Sequence, residues 1–185
     1  LWVLNISDNL IEALPEGIGD LVALEWLDLS SNQLSSLPPT IGDLVPTPDF
    51  GGLRQLSVSN NRLTTLPDEF SALEGLVMAD FSHNMLTGLP ESIGQLSIEF
   101  LYLEDNQLTT LPSSFGDLEA LSQLYLHDNP LSGPMPDMLA SLTSLGQAGW
   151  LSSQFTFYNT DWCVPSTGPV PAWLAGIEHQ GTGMI

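Results

Sequence analysis

Two groups of side chains in this sequence have the types and spacing to do chemistry. The first holds Trp26, Met78, Phe100, Tyr102 and Tyr125 beside Glu25, Asp28, Asp80 and Glu99. Flat apolar anchors set in an acidic field have the composition of a recognition surface, suited to a cationic peptide or protein segment. The alternative is a solvated wall whose aromatics only pack on one another across adjacent strands. The second group holds His83, Asp105 and Asp128, with Glu104 and His127 in the next row. Imidazoles and carboxylates brought that close would hold a divalent ion, the one cofactor the sequence offers, although no ligand spacing dictates a particular metal. A solvated acidic rim is the competing reading.

Catalysis finds no comparable support. There is no GxSxG elbow, HExxH pair or phosphate loop, and His83, His127 and His179 lack a nucleophile within any motif. Glu104 and Asp105 are paired carboxylates, but neighbours at a strand end point apart, which is poor geometry for flanking one bond. A non-enzymatic chain is expected.

Charge narrows the partners. The formal net charge is −20, yet charged residues make up only 13% of the chain, about half the ~25% of an average protein. What is missing is base: Arg54, Arg62 and no lysine. Such a surface repels phosphate backbones and anionic lipid, which argues against nucleic acid and membrane surfaces and in favour of cations. No stretch approaches the roughly 20 apolar residues of a membrane helix. The chain has no initiator Met and its first residues already lie inside a repeating phrase, so a piece of something longer is expected, with other domains of a parent chain among its partners.

That phrase must position the candidate residues. "LDLSSNQLSSLP" at 27–38 returns as "LSVSNNRLTTLP" and "LYLEDNQLTTLP", and the asparagines Asn9, Asn32, Asn61, Asn84, Asn106 and Asn129 step by 23, 29, 23, 22 and 23 residues. Each unit reads LxxLxLxxNxL followed by xxLPxxIGxL. The alternation of LxLx places Leu27 and Leu29 on one face of a short strand and Trp26 and Asp28 on the other. Strands of successive units can then pair in parallel about 4.8 Å apart, with Ile41 and Leu44 on the return leg covering the core. Asparagine suits the inward turn, because its amide both donates and accepts toward backbone. Proline after each "xxL", as in Pro67 and Pro90, opens an irregular or one-turn helical leg.

With six such units over residues 1–145, the chain resembles the leucine-rich repeat family. The resemblance implies an α/β solenoid: an arc with short parallel strands on its concave face and irregular, 3-10 or short helical legs on its convex face. The "LPxxIGxL" halves resemble a 23-residue class found in intracellular scaffolds and in bacterial and algal proteins, while "LSGPMPDMLASLTSL" resembles plant-type extracellular repeats. A degenerate seventh turn and a cap are expected over 146–185, with Trp150, Phe155, Phe157, Trp162 and Trp173 closing the stack and "PAWLAGI" as a short helix. "DWCVP" resembles the trailer of secreted repeat proteins in which this cysteine pairs with one downstream; Cys163 has no such partner here, so either the partner belongs to a longer tail or the thiol is buried.

One interruption stands out. "VPTPDFGG", Val45 to Gly52, adds six residues to the second unit, either as a tolerated loop or as a partner-contacting flap with Phe50 at its tip. Asn5-Ile6-Ser7 matches a glycosylation sequon but falls on a strand.

Function is therefore expected to be protein or peptide binding on the concave face, through Trp26, Met78, Phe100, Tyr102 and Tyr125. The alternatives are a structural or surface-display segment of a larger extracellular protein, and a metal site at His83, Asp105 and Asp128. Scarce bases and the plant-like sixth unit lean toward a secreted or cell-surface setting; the "LPxxIGxL" units suit the cytoplasm equally.

Overall fold

The computed structural model describes residues 1–145 and 154–176. Each LxLx phrase forms a three-residue strand: β1 (Val3–Asn5), β2 (Trp26–Asp28), β3 (Gln55–Ser57), β4 (Met78–Asp80), β5 (Phe100–Tyr102) and β6 (Gln123–Tyr125). Further along lie β7 (Ser132–Pro134), β8 (Gln154–Thr156), β9 (Asp161–Cys163) and the helix α1 (Val170–Gly176). Strands β1 to β6 and then β8 pair in parallel, in chain order, in one sheet; β7 and β9 form a separate parallel pair. The main register is the one the repeat dictates: Trp26 faces Gln55, Gln55 faces Met78, and Met78 faces Phe100.

Alternation sorts the side chains as expected. Leu27, Leu29, Leu56, Leu101, Leu103, Leu124 and Leu126 are buried, as are their partners from the return legs, Ile41, Phe70, Ile93 and Phe115. Phe70 meets Phe81 edge-on at 5.3 Å, a favoured aromatic geometry in the middle of the stack.

The asparagines form a continuous ladder. Asn84 Nδ2 donates to the carbonyls of Phe81 and Ser82 in its own coil and of Val58 in the preceding one, while its Oδ1 accepts from Leu63 N–H at 2.9 Å. Asn61, Asn106 and Asn129 repeat the pattern. The residue before each ladder asparagine turns the chain inward with a left-handed backbone: Asp8, Ser31, Asn60, His83, Asp105 and Asp128 all have φ between 54° and 57°. Non-glycine residues seldom sit there, and it is the ladder that holds them.

On the return side every leg is a single 3-10 turn preceded by an extended proline, as in Pro38 before Pro39–Asp43 and Pro90 before Glu91–Gln95. The fixed φ of proline leads the chain out of the ladder, and its carbonyl accepts the first turn bond, Ile41 N–H to Pro38 O at 3.0 Å. The glycine of "IG" has a reason the sequence did not disclose: a Cβ on Gly19, Gly42, Gly94 or Gly116 would lie closer than 3.0 Å to the carbonyl oxygen of the next leg.

The insertion folds back on the stack. Thr47 and Phe50 exchange backbone hydrogen bonds of 2.7 and 3.3 Å, and the loop carbonyl of Gly51 packs against Gly75 in the next coil. Phe50 is half-buried there.

At the far end, Phe155 is buried against Phe157 and Trp173, and the Trp173 indole donates to Leu142 O. Val170 and Leu174 of α1 join the same core, and Trp162 packs on it. Cys163 is exposed at the end of β9, which removes the buried-thiol reading. Trp150 and His179 lie outside the described residues. Among those described, no helix is long and apolar enough to cross a membrane. In the first coil Leu1 is 65% and Trp2 64% exposed.

Candidate functional site

The side chains left free by the core form columns across the sheet. One column runs Val3, Trp26, Gln55, Met78, Phe100, Gln123, and the next runs Asn5, Asp28, Ser57, Asp80, Tyr102, Tyr125. Trp26 is 42% exposed; Met78, Phe100, Tyr102 and Tyr125 are half-buried against their neighbours, as are Asp28 and Asp80. Glu25 is half-buried and Glu99 exposed at the strand starts.

Coils one to four settle their own polar groups. Asn5 accepts from the N–H and hydroxyl of Ser7 and donates to Asp28 Oδ2 at 2.9 Å. Asp28 Oδ1 accepts from Ser30 N–H and Oγ, at 3.0 and 2.6 Å, and Asp80 Oδ1 takes the same two bonds from Ser82. Two donors on one oxygen fix the orientation of each carboxylate. Trp26 stands apart from the other anchors, in a shallow hollow lined also by Trp2, Val3, Glu25, Arg54 and Gln55.

From β5 onward the face changes. Tyr102 and Tyr125 stack at 5.0 Å with 21° between the rings, Tyr125 meets His127 edge-on at 6.3 Å, and His127 stacks on Tyr158 at 4.3 Å. His127 Nδ1 bonds Thr156 Oγ1 at 2.8 Å. The result is one aromatic run from β5 past β8. Beside it Glu104 is half-buried, and its Oε2, shielded from solvent, accepts no hydrogen bond. Burial, with the charge of Asp80, pushes the Glu104 carboxyl up from its usual range, while its own backbone N–H and His83 pull the other way. Tyr102 is pushed up by burial and then by Asp80 and Glu104, and Tyr125 by burial and then by Tyr102 and Glu104. His127 is held below the usual imidazole value by burial, which Asp128 only partly offsets.

Glu104, His127, Thr156 and Tyr158 were missed as face residues. The signal was there: the alternation, carried two positions past Tyr102 and Tyr125, points Glu104 and His127 to the same side. Thr156 ends β8 and Tyr158 lies two residues further on, in the weak seventh coil where no repeat letter marks the register.

The row proposed for a metal assembles only in part. His83 Nδ1 and Asp105 Oδ2 meet at 2.7 Å, both well exposed. Asp128 is not with them: its Oδ1 accepts from Asn159 Nδ2 at 2.6 Å. Among the described residues no three His, Cys, Asp or Glu side chains gather as a metal would require. Each left-handed corner displays its side chain outward beside the next, so the row satisfies itself pairwise instead of converging on a point.

Comparison with known proteins agrees with this geometry. Models described as leucine rich repeat match residues 51–108 and, in a second form, 23–44 and 120–142, together more than half of the chain. Among solved structures, the plant peptide hormone receptor RGFR1 in complex with RGF2 is similar at 29% identity and a TM-score of 0.73, over 86% of this chain and 25% of that one. The ectodomain of the receptor kinase GASSHO1/SCHENGEN3 from Arabidopsis thaliana, in complex with CASPARIAN STRIP INTEGRITY FACTOR 2, matches at 30% identity and 0.62, over 88% and 22%. An internalin of Listeria monocytogenes shares the fold at 20% identity and 0.73, over 97% and 47%. The chain thus spans about a quarter of the length of each matched plant receptor chain.

Proposed function

The chain belongs to the leucine-rich repeat family, and from that membership we propose that it is a non-catalytic module binding a protein or peptide on its concave face. The observation that carries the reading is the aromatic run of Tyr102, Tyr125, His127 and Tyr158, flanked by Phe100 and Met78. A rigid sheet that already holds its rings in place loses little side-chain entropy when a partner lands on them. Charge supports a cationic partner, since 22 acidic side chains face two arginines in the whole chain. That both plant receptors are described with a bound peptide or factor supports a peptide-like occupant and, with it, a secreted or cell-surface setting.

The test is selection from a display library of random peptides on the immobilised chain. Peptides recovered should lose about tenfold or more in affinity on Phe100→Ala and on Tyr102→Ala, and none on Thr65→Ala, an exposed position of a return leg. Binding indifferent to Phe100→Ala and Tyr102→Ala overturns the reading in favour of a spacing or display role.

A further inference from the structure

We propose, resting on the concave-face reading, that the wall between β4 and β5 seats an arginine side chain of the partner, with its guanidinium laid on Tyr102 and facing Asp80 and Glu104. Tyr102 pairs in register with Asp80 on one side and Tyr125 on the other. The Tyr125 ring, stacked at 5.0 Å, covers one face of Tyr102; the other face lies on the Asp80 side. Glu104 stands two residues along the same side of the chain; its Oε2 accepts no hydrogen bond and is shielded from solvent, so the guanidinium reaches it as the half-buried side chain turns outward.

Among the described residues no arginine pairs with Asp80 or Glu104, and the nearest positive influence on Glu104 is His83. Arg54 and Arg62 are the only strong bases in the sequence, and both belong to the third coil, before β4. His83 is engaged with Asp105 and His127 with Thr156. Asp80 is held in place by two bonds from Ser82 to Oδ1, so half of the acidic clamp is already oriented. Burial and the nearness of Asp80 both disfavour the charged form of Glu104, and a positive group between the two carboxylates would reverse that penalty. Arginine fits better than lysine: a planar, weakly hydrated guanidinium stacks on a ring and still offers donors at its edge to two carboxylates, whereas a hydrated ammonium is a point charge.

The probe is acetyl-Gly-Arg-Gly-amide, titrated into the labelled chain and followed by NMR on the Tyr102 and Tyr125 ring signals, beside the citrulline and lysine analogues. The arginine peptide should shift those signals saturably. Citrulline, of the same shape without charge, should bind about tenfold more weakly, and lysine about threefold more weakly. Glu104→Gln, which keeps the size of the side chain, should weaken the arginine peptide about fivefold with the rest of the spectrum unchanged. Equal binding of arginine and citrulline, no shift at millimolar peptide, or an unaffected Glu104→Gln overturns the arginine seat. The wider reading fails separately: library peptides that depend on Tyr102 but ignore Glu104→Gln sink the seat alone, whereas peptides that ignore both Phe100→Ala and Tyr102→Ala sink the face.

Discussion

On the wall of the first four coils, Asn5, Asp28 and Asp80 each accept two bonds from the serine two residues on. From the fifth coil the same positions hold Tyr102 with Glu104, then Tyr125 with His127, and the small polar pair gives way to stacked rings and a carboxylate without a donor. The ladder beneath does not change: Asn61 and Asn106 make the same set of bonds. Residues that carry the coil and residues that face outward are thus chosen independently, and a solenoid can concentrate unspent interaction in one stretch of a uniform support.

The largest expected effect tests that uniformity. Asn61→Ala and Asn106→Ala each strand a buried N–H and carbonyl of the preceding coil, so each should cost about 3 kcal/mol in urea unfolding. Losses that differ by more than about 1 kcal/mol would break the claim of a common frame. A sharper contrast lies on the wall itself. Asp28→Ala removes the acceptor of Ser30 and Asn5 and should destabilise by about 1 kcal/mol. Glu104→Gln removes a partly desolvated charge and should stabilise by a few tenths of a kcal/mol, up to about 1. If both substitutions destabilise, the two halves do not differ in the way described.

The smallest effect is in pH. The Glu104 carboxyl is raised in the folded chain, so folding takes up its proton between the unfolded and folded values, and its penalty fades as pH falls through that window. The advantage of Glu104→Gln should shrink accordingly on acidification. His127 is lowered, so its contribution is present above the unfolded value near 6.5 and is lost as pH falls below it. His127→Gln should therefore close its stability gap to the native chain on acidification below about 6.5, measured by thermal melts. Parallel pH curves for native chain and variants would remove both assignments.

Much of this was legible in the letters. The period placed Trp26, Met78 and Phe100 in one column and Asp28, Asp80, Tyr102 and Tyr125 in the next, because strand parity and a near-constant step leave no other arrangement. Contacts between coils were less legible. Whether Asp28 is free or held by Ser30, and whether Asp128 turns to His83 or to Asn159, depends on rotamers that no periodicity fixes. The extra pair β7 and β9 joins the sixth coil to a stretch where the repeat letters have faded. The reason for glycine in "IG" appears only when two legs are set side by side.

Those glycines act at a distance from the wall. Hydrogen bonds hold the inner strands at one spacing, while the separation of the outer legs is set by what fills the gap between them, and at Gly19, Gly42, Gly94 and Gly116 nothing but hydrogen does. The coil with Ser71 and the coil with Ala140 at the same position already depart from it. Each atom added at those points wedges the outer circumference open while the inner one stays fixed, so it bends the arc more tightly. The width of the cradle offered to a partner can therefore be retuned from the back of the molecule, without altering any residue the partner touches.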